Sequence, residues 1–213
     1  MSMLHLITWG VALLVAPVFS AVAVEAGHQN YAIAMLQATT SPLNRQFATL
    51  VTRKDYAGLQ KLLKETKNIN ETDLKGVAPV HYAASMGSVE AMKLLIARRV
   101  DLKAKTFGGW TPLHYAAHGG HGEMVQLLVR EGHPVNIRDS GGETALFYAV
   151  EGNQVQAVRL LMANGADVNA DNNQGEMPLS VARKNNFKEI ADMLQQAGAQ
   201  EGEALDPDKR APD

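Results

Sequence analysis

The sequence predicts an all-α solenoid made of stacked helix–turn–helix units, and three observations predict it. Glycines stand at Gly76, Gly109, Gly142 and Gly175, each 33 residues after the one before. A helix-opening block recurs in the same register, and so does an apolar pair in the helix that follows. A fixed period of this size is typical of repeat proteins, in which each unit buries its apolar faces against its neighbours.

The unit at residues 109–136 shows why each repeat should form two helices. Thr111 is a helix-capping residue, and Pro112 suits the first helical position because its missing N–H would be unpaired there. Gly120 can end this helix in the left-handed conformation, and Gly132 can end the next one. The second helix has an apolar stripe formed by Met124, Val125, Leu127 and Leu128.

Several blocks of the chain resemble ankyrin repeats. They are Thr-Pro-Leu-His at 111–114, Gly-His at 120–121 and Gly-Ala-Asp-Val-Asn-Ala at 165–170. The resemblance extends over about residues 73–200. It implies a stack of helix–turn–helix–loop/β-hairpin units that binds a protein partner on its concave surface. It also implies that His81 and His114 hydrogen-bond the backbone of neighbouring units.

The segment before the first full copy matches the pattern only in part. Residues 55–64 resemble a second helix, whereas the Thr-Pro-Leu-His block is not evident, so we expect a helical cap that also uses apolar helices near residues 28–38 and 45–52. The predicted division of the chain is a signal peptide at 1–23, a helical cap or degenerate repeat at 24–72, ankyrin repeats at 73–105, 106–138 and 139–171, a fourth repeat or C-terminal cap at 172–200, and a disordered tail at 201–213.

Composition excludes several classes of function. The net charge of −2 provides no overall field for nucleic acid or an anionic membrane. Because the chain has no cysteine, it has no disulfides, thiol catalysis or cysteine-ligated zinc.

The N-terminus predicts export. Residues 1–24 contain no Lys, Arg, Asp or Glu, and Ala21-Val22-Ala23 is a small-residue cleavage pattern. We therefore expect a cleaved signal peptide and a location in the bacterial periplasm, without membrane attachment after cleavage. The alternative is a membrane-tethered scaffold, anchored in the inner membrane and facing the periplasm, because residues 4–24 approach the length that spans a bilayer.

A second alternative is a metal-binding or hydrolytic protein. His114 and His118 are four residues apart, and His121 follows closely, which is a spacing of ligands on helices. However, His114 and His121 fill positions of the repeat motif, and no nucleophile–base arrangement is recognisable. We therefore expect no enzyme activity, no cofactor and no metal.

The positions that the repeat motif leaves variable point to the binding surface. The resemblance places the loop tips and the ends of the first helices on the concave side, with apolar residues in the first two repeats and polar ones in the last two. We expect a monomeric, non-enzymatic interaction module, which could stabilise or inhibit a periplasmic enzyme. The candidate partner-binding residues are Leu74, Val77, Met86, Phe107, Trp110, His118, Glu143 and Glu151.

Overall fold

The computed structural model describes residues 41–201, which form a row of helix pairs. None of the helices in this part of the chain combines the length and the apolar composition that a bilayer-spanning helix needs. The ten helices of this part of the chain are α1 (Pro42–Thr52), α2 (Tyr56–Glu65), α3 (Pro79–Ser85), α4 (Val89–Ala97), α5 (Pro112–His118), α6 (Gly122–Arg130), α7 (Ala145–Glu151), α8 (Val155–Ala163), α9 (Pro178–Lys184) and α10 (Lys188–Gln196).

The stack confirms the predicted all-α solenoid. Helices α3, α5, α7 and α9 begin at Pro79, Pro112, Ala145 and Pro178, which keeps the 33-residue spacing of the sequence. Each first helix packs on the first helix of the next pair, more extensively than the second helices pack on one another. One apolar core, from Phe47 to Leu194, runs through all the pairs.

The recurring glycines are the points at which neighbouring loops touch. Gly109 has φ +81°, and a Cβ atom there would lie 2.7 Å from the backbone nitrogen of Ser140 in the next loop. That same N–H donates a hydrogen bond of 3.0 Å to the carbonyl oxygen of Gly108. The glycine column is therefore required both by its left-handed conformation and by the close approach of the next backbone.

A second column holds the shape of each loop. Oδ1 of Asp139 accepts hydrogen bonds from the backbone N–H groups of Gly141, at 2.8 Å, and Glu143, at 2.9 Å. Asp73 and Asn172 make the equivalent pairs of bonds. Within the described residues the loops show only an isolated antiparallel bridge, between Arg138 and Thr144, so they are side-chain-stabilised turns more than β-hairpins.

The first helix pair contains the helix-opening block that the sequence comparison did not find. Ser41 caps α1 and Pro42 is its first residue, so the helix-opening block is present, as Ser-Pro-Leu-Asn at 41–44. Nδ2 of Asn44 donates to the carbonyl oxygen of Val77 at 2.7 Å, which joins this pair to the next loop. The prediction missed the block because α1 has 11 residues where α3 has seven. The four added residues make about one helical turn, which returns the same face to the core.

The remaining predictions at the two ends lie outside the described residues. These are the signal peptide at 1–23, the helix near 28–38 and, apart from Glu201, the tail at 201–213.

The left-handed helix ends predicted at Gly120 and Gly132 are present, with φ of 70° and 82°. Asn153 and Asn186 replace glycine at the end of a first helix, with φ of 53° and 60°. In the second helix of the unit at 109–136, Leu128 is fully buried but Leu127 is only partly buried.

Gly109 and Gly132 have almost the same φ, so substitutions at these positions distinguish backbone strain from a steric clash with the next loop. Gly132 has φ +82°, and a Cβ atom there would meet nothing within 4 Å. We expect Gly132→Ala to cost about 1–2 kcal/mol of unfolding free energy, for the left-handed conformation alone. Gly109→Ala should cost more, because its Cβ would press on the backbone of the next loop. Denaturant unfolding of both variants tests this, and equal losses would contradict the contact between loops as a constraint.

Candidate functional site

His114 is a structural link between repeats. Its Nδ1 accepts a hydrogen bond from the backbone N–H of Thr111 at 3.1 Å, which leaves the ring proton on Nε2. Nε2 donates to the carbonyl oxygen of Glu143 in the next loop, at 3.2 Å. Burial lowers the pKa of His114 from 6.5 to about 4, although nearby Asp139 raises it, so the ring is neutral at neutral pH. His81 has the same role between Ala78 and Ala104.

His121 forms a second kind of link, at the other end of the first helices. Its Nε2 donates to the carbonyl oxygen of Ser85 in the preceding repeat, at 2.9 Å. One repeat further on, Nε2 of Gln154 donates to the carbonyl oxygen of His118 at 3.2 Å. A glutamine therefore replaces the histidine with the same hydrogen bond, which identifies the position as structural.

The structure does not bring the three histidines together as a ligand set. His114 and His121 direct Nε2 at backbone carbonyl oxygens of different repeats, and His118 packs beside Trp110. Among residues 41–201, no group of three or more His, Cys, Asp or Glu side chains has an arrangement that could hold a metal ion. The proximity in sequence arises from motif positions that serve different contacts.

Trp110 is the centre of an aromatic cluster. Its ring centroid lies 4.2 Å from that of Tyr148, 5.0 Å from that of Tyr115 and 5.9 Å from that of His118. Trp110 is half-buried, so one part of the indole rests on these rings while another part faces solvent. Burial lowers the pKa of His118, which therefore adds a neutral ring to the cluster near neutral pH.

A cluster of carboxylates adjoins the aromatic one. The hydroxyl of Tyr148 lies 2.7 Å from Oδ2 of Asp139 and 2.8 Å from Oε2 of Glu143, and it donates its proton between them. Burial raises the pKa of Tyr148, and these acidic partners raise it further. The pKa of Glu151 is raised by partial desolvation and then by the negative charges of Glu143 and Glu176. Lys184 partly balances this charge, since its Nζ lies 3.2 Å from Oε1 of Glu176.

The predicted apolar residues separate into two groups. Leu74 and Phe107 are 76% and 77% exposed, and within the described residues they are the exposed large apolar side chains. The prediction for Val77 was wrong, because its side chain is buried in the core. Its carbonyl oxygen accepts the hydrogen bond from Asn44 of the first helix pair. Met86 is partly buried and packs against the core, so it offers little free surface.

Together these residues define what we call the inner face, which comprises the loop tips and the exposed sides of the first helices. Leu74 and Phe107 are exposed at loop tips. Trp110 and His118 pack together in the aromatic cluster, and Glu143 and Glu151 belong to the carboxylate cluster. Sequence reasoning did not select Asp139, whose carboxylate accepts from the Tyr148 hydroxyl. The shared nine-residue separation of Asp73 from Tyr82 and of Asp139 from Tyr148 was a usable signal, since both hydroxyls face these carboxylates.

A cavity in the described residues lies away from the predicted binding residues. It has a volume of about 420 Å³ and lies between the two helices of the first pair, where Arg45, Leu50, Lys61 and Leu62 contribute to its lining. It is a shallow groove between two helices at one end of the stack, and none of the predicted binding residues lines it.

Comparison with known proteins gives a family match. A family model described as ankyrin repeats (3 copies) matches residues 47–139 and residues 120–203, so the matched region covers well over half of the 213-residue chain. Comparison with the curated proteins gave no match.

The lowered pKa of His114 predicts how the stability of the protein depends on pH. The folded state favours the neutral ring, so the unfolded state binds more protons below pH 6.5. The free energy of unfolding should therefore decrease as the pH is lowered from 6.5 to about 4. Asn44 shows that asparagine can fill this position and keep the bond to the next loop. We expect His114→Asn to reduce the slope of unfolding free energy in this window, by up to about 1.4 kcal/mol per pH unit.

Chemical unfolding of both proteins at intervals from pH 8 to pH 4 measures this slope. The value at pH 8 gives the packing cost of the substitution. The remaining slope contains the contributions of the carboxylates and of His81, His118 and His133, whose pKa values burial also lowers. Identical pH profiles for the two proteins would contradict the role assigned to His114.

Proposed function

The chain belongs to the ankyrin repeat family, and from this premise we propose that its inner face binds a partner protein without catalysing a reaction. Ankyrin repeats are generic protein–protein interaction modules. The observation that carries the assignment to this face is the exposure of Phe107 and Leu74 on adjoining loop tips, which the hydrogen bond from the N–H of Phe107 to the carbonyl oxygen of Lys75 joins. Half-buried Trp110 lies on the same loop as Phe107. Large apolar side chains exposed together are typical of interaction surfaces, and tryptophan is enriched among the residues that dominate binding energy.

The hydrogen bonds between repeats support a preformed binding surface. The tips of neighbouring loops are joined backbone to backbone, and His81 and His114 fix the loops to the first helices. A face held in this way loses little conformational entropy when a partner binds. The proposed mechanism is therefore stoichiometric binding by a monomer, in which the partner could be an enzyme that the module stabilises or inhibits.

We also propose that the module acts in the bacterial periplasm. The support is the sequence of residues 1–24, with its uncharged apolar run and the Ala21-Val22-Ala23 pattern. If that segment is retained, the same inner face serves a scaffold that is tethered to the inner membrane. The net charge of −2 and the carboxylates of the face favour a protein over a nucleic acid as partner.

The first test uses Phe107, whose exposed ring contributes little to folding. We expect Phe107→Ala to reduce capture of the partner from the exported fraction, with an unchanged free energy of unfolding. Trp110→Ala should reduce capture and also lower stability, because the indole packs on Tyr115 and Tyr148. Quantitative affinity capture measures the first quantity, and denaturant unfolding measures the second.

Gln126→Ala is the control for this test, since Gln126 is exposed on α6, away from the inner face. It should leave both quantities unchanged. Full capture by a folded Phe107→Ala variant would place the binding surface elsewhere.

The location has a separate test. We expect the mature protein to begin near Val24, because cleavage after Ala23 fits the small-residue pattern. Mass spectrometry of the N-terminal peptide decides between the two forms. A protein that begins at Met1 and sediments with the inner membrane would support the tethered scaffold, and one found intact in the cytosol would contradict export.

A further inference from the structure

The inner face changes its chemistry from one repeat to the next at equivalent positions. Trp110 and His118 occupy one pair of positions, and 33 residues later the same pair is Glu143 and Glu151. The indole of Trp110 packs on Tyr148, whose hydroxyl contacts the carboxylate of Glu143. Only the side chain of Tyr148 therefore separates the half-exposed indole of Trp110 from the carboxylate of Glu143.

The carboxylates of Glu143, Glu151 and Glu176 carry more negative charge than the nearby Lys184 can neutralise. Partial desolvation raises the pKa of Glu151, and the negative charges of Glu143 and Glu176 raise it further. Lys184 pairs with Glu176 at 3.2 Å. Hydrogen bonds from Tyr148 and Asn172 stabilise Glu143 but bring no positive charge. A cation placed beside Glu143 and Glu151 would reduce this repulsion.

One class of side chain satisfies both surfaces at once. Arginine and lysine bind the face of an aromatic ring, best that of tryptophan, and they also pair with carboxylates. Arginine suits the site better, because its planar guanidinium can stack on the indole while its N–H groups reach two carboxylate oxygens. Phosphate groups of nucleic acids or lipids would be repelled by the same carboxylates.

Building on the proposed function, we propose that the partner presents a basic residue, preferably arginine, that lies over Trp110 and pairs with Glu143 and Glu151. An apolar residue of the same partner segment contacts Phe107 and Leu74. The segment is thereby oriented along the stack, with its apolar part toward the first repeats and its basic part toward the last ones. This charge pattern gives the partner-binding face its specificity.

The test is a selection of displayed random 12-residue peptides on the immobilised full chain, with a parallel selection on the Glu151→Lys variant. We expect the native chain to enrich peptides that contain Arg or Lys beside an aromatic or aliphatic residue, and the variant to lose this enrichment. A selected peptide is then synthesised with arginine or with citrulline, which has nearly the same shape without the charge.

Titrations with these synthetic peptides give the expected magnitudes. Trp110→Ala should weaken binding at least about tenfold, and Glu151→Gln about threefold to fivefold, with smaller effects at high salt. Citrulline should weaken binding to the native chain more than to Glu151→Gln. Glu123→Gln is the matched control, because it removes the same charge from the exposed side of α6.

The outcomes separate this inference from the proposed function. Selected peptides that need Phe107 or Trp110 but contain no basic residue, and that bind Glu151→Gln as tightly as the native chain, would overturn the basic partner and leave the inner face as the binding surface. If binding of every selected peptide were insensitive to Phe107→Ala and Trp110→Ala, both proposals would fall.

Discussion

The contact between the loops of neighbouring repeats is the constraint on which the rest of the structure depends. At Gly109 the next loop lies so close that a Cβ atom would approach the nitrogen of Ser140 to 2.7 Å, and the same approach allows the hydrogen bond from Ser140 to Gly108. Because this contact recurs every 33 residues, it fixes the distance between repeats. The first helices then pack at one spacing, and a single apolar core continues through the stack.

The binding face follows from that regular spacing. Residues 33 apart in sequence become neighbours along the stack, so each position of the repeat forms a row on the surface. Trp110 and Glu143 belong to one such row, and Tyr148 joins them by packing on the indole and hydrogen-bonding the carboxylate. The chemistry of the face is therefore set by substitutions at a few variable positions, while glycine, histidine and asparagine at the other positions keep the scaffold constant.

Much of this arrangement could be predicted, and the failures have physical causes. The helix start at Pro112 and the left-handed Gly120 were predicted because local backbone preferences decide them. The opening block of α1 was missed because one added helical turn breaks a strict 33-residue comparison but keeps the same face on the core. The predicted exposure of Val77 was wrong because burial depends on how the units stack, and the identity of the residue does not reveal that.

The sequence by itself determined the repeat length, the two helices of each unit and the positions of their turns, since caps, prolines and left-handed glycines act within a few residues of the chain. Only the tertiary structure decided which variable residues face solvent and which lie together. Phe107 and Trp110 are three residues apart, yet one is exposed and the other rests on Tyr148 of the following repeat. The reason is that burial and electrostatic coupling arise between repeats, from side chains that are separated in the chain and are brought together only when the units stack.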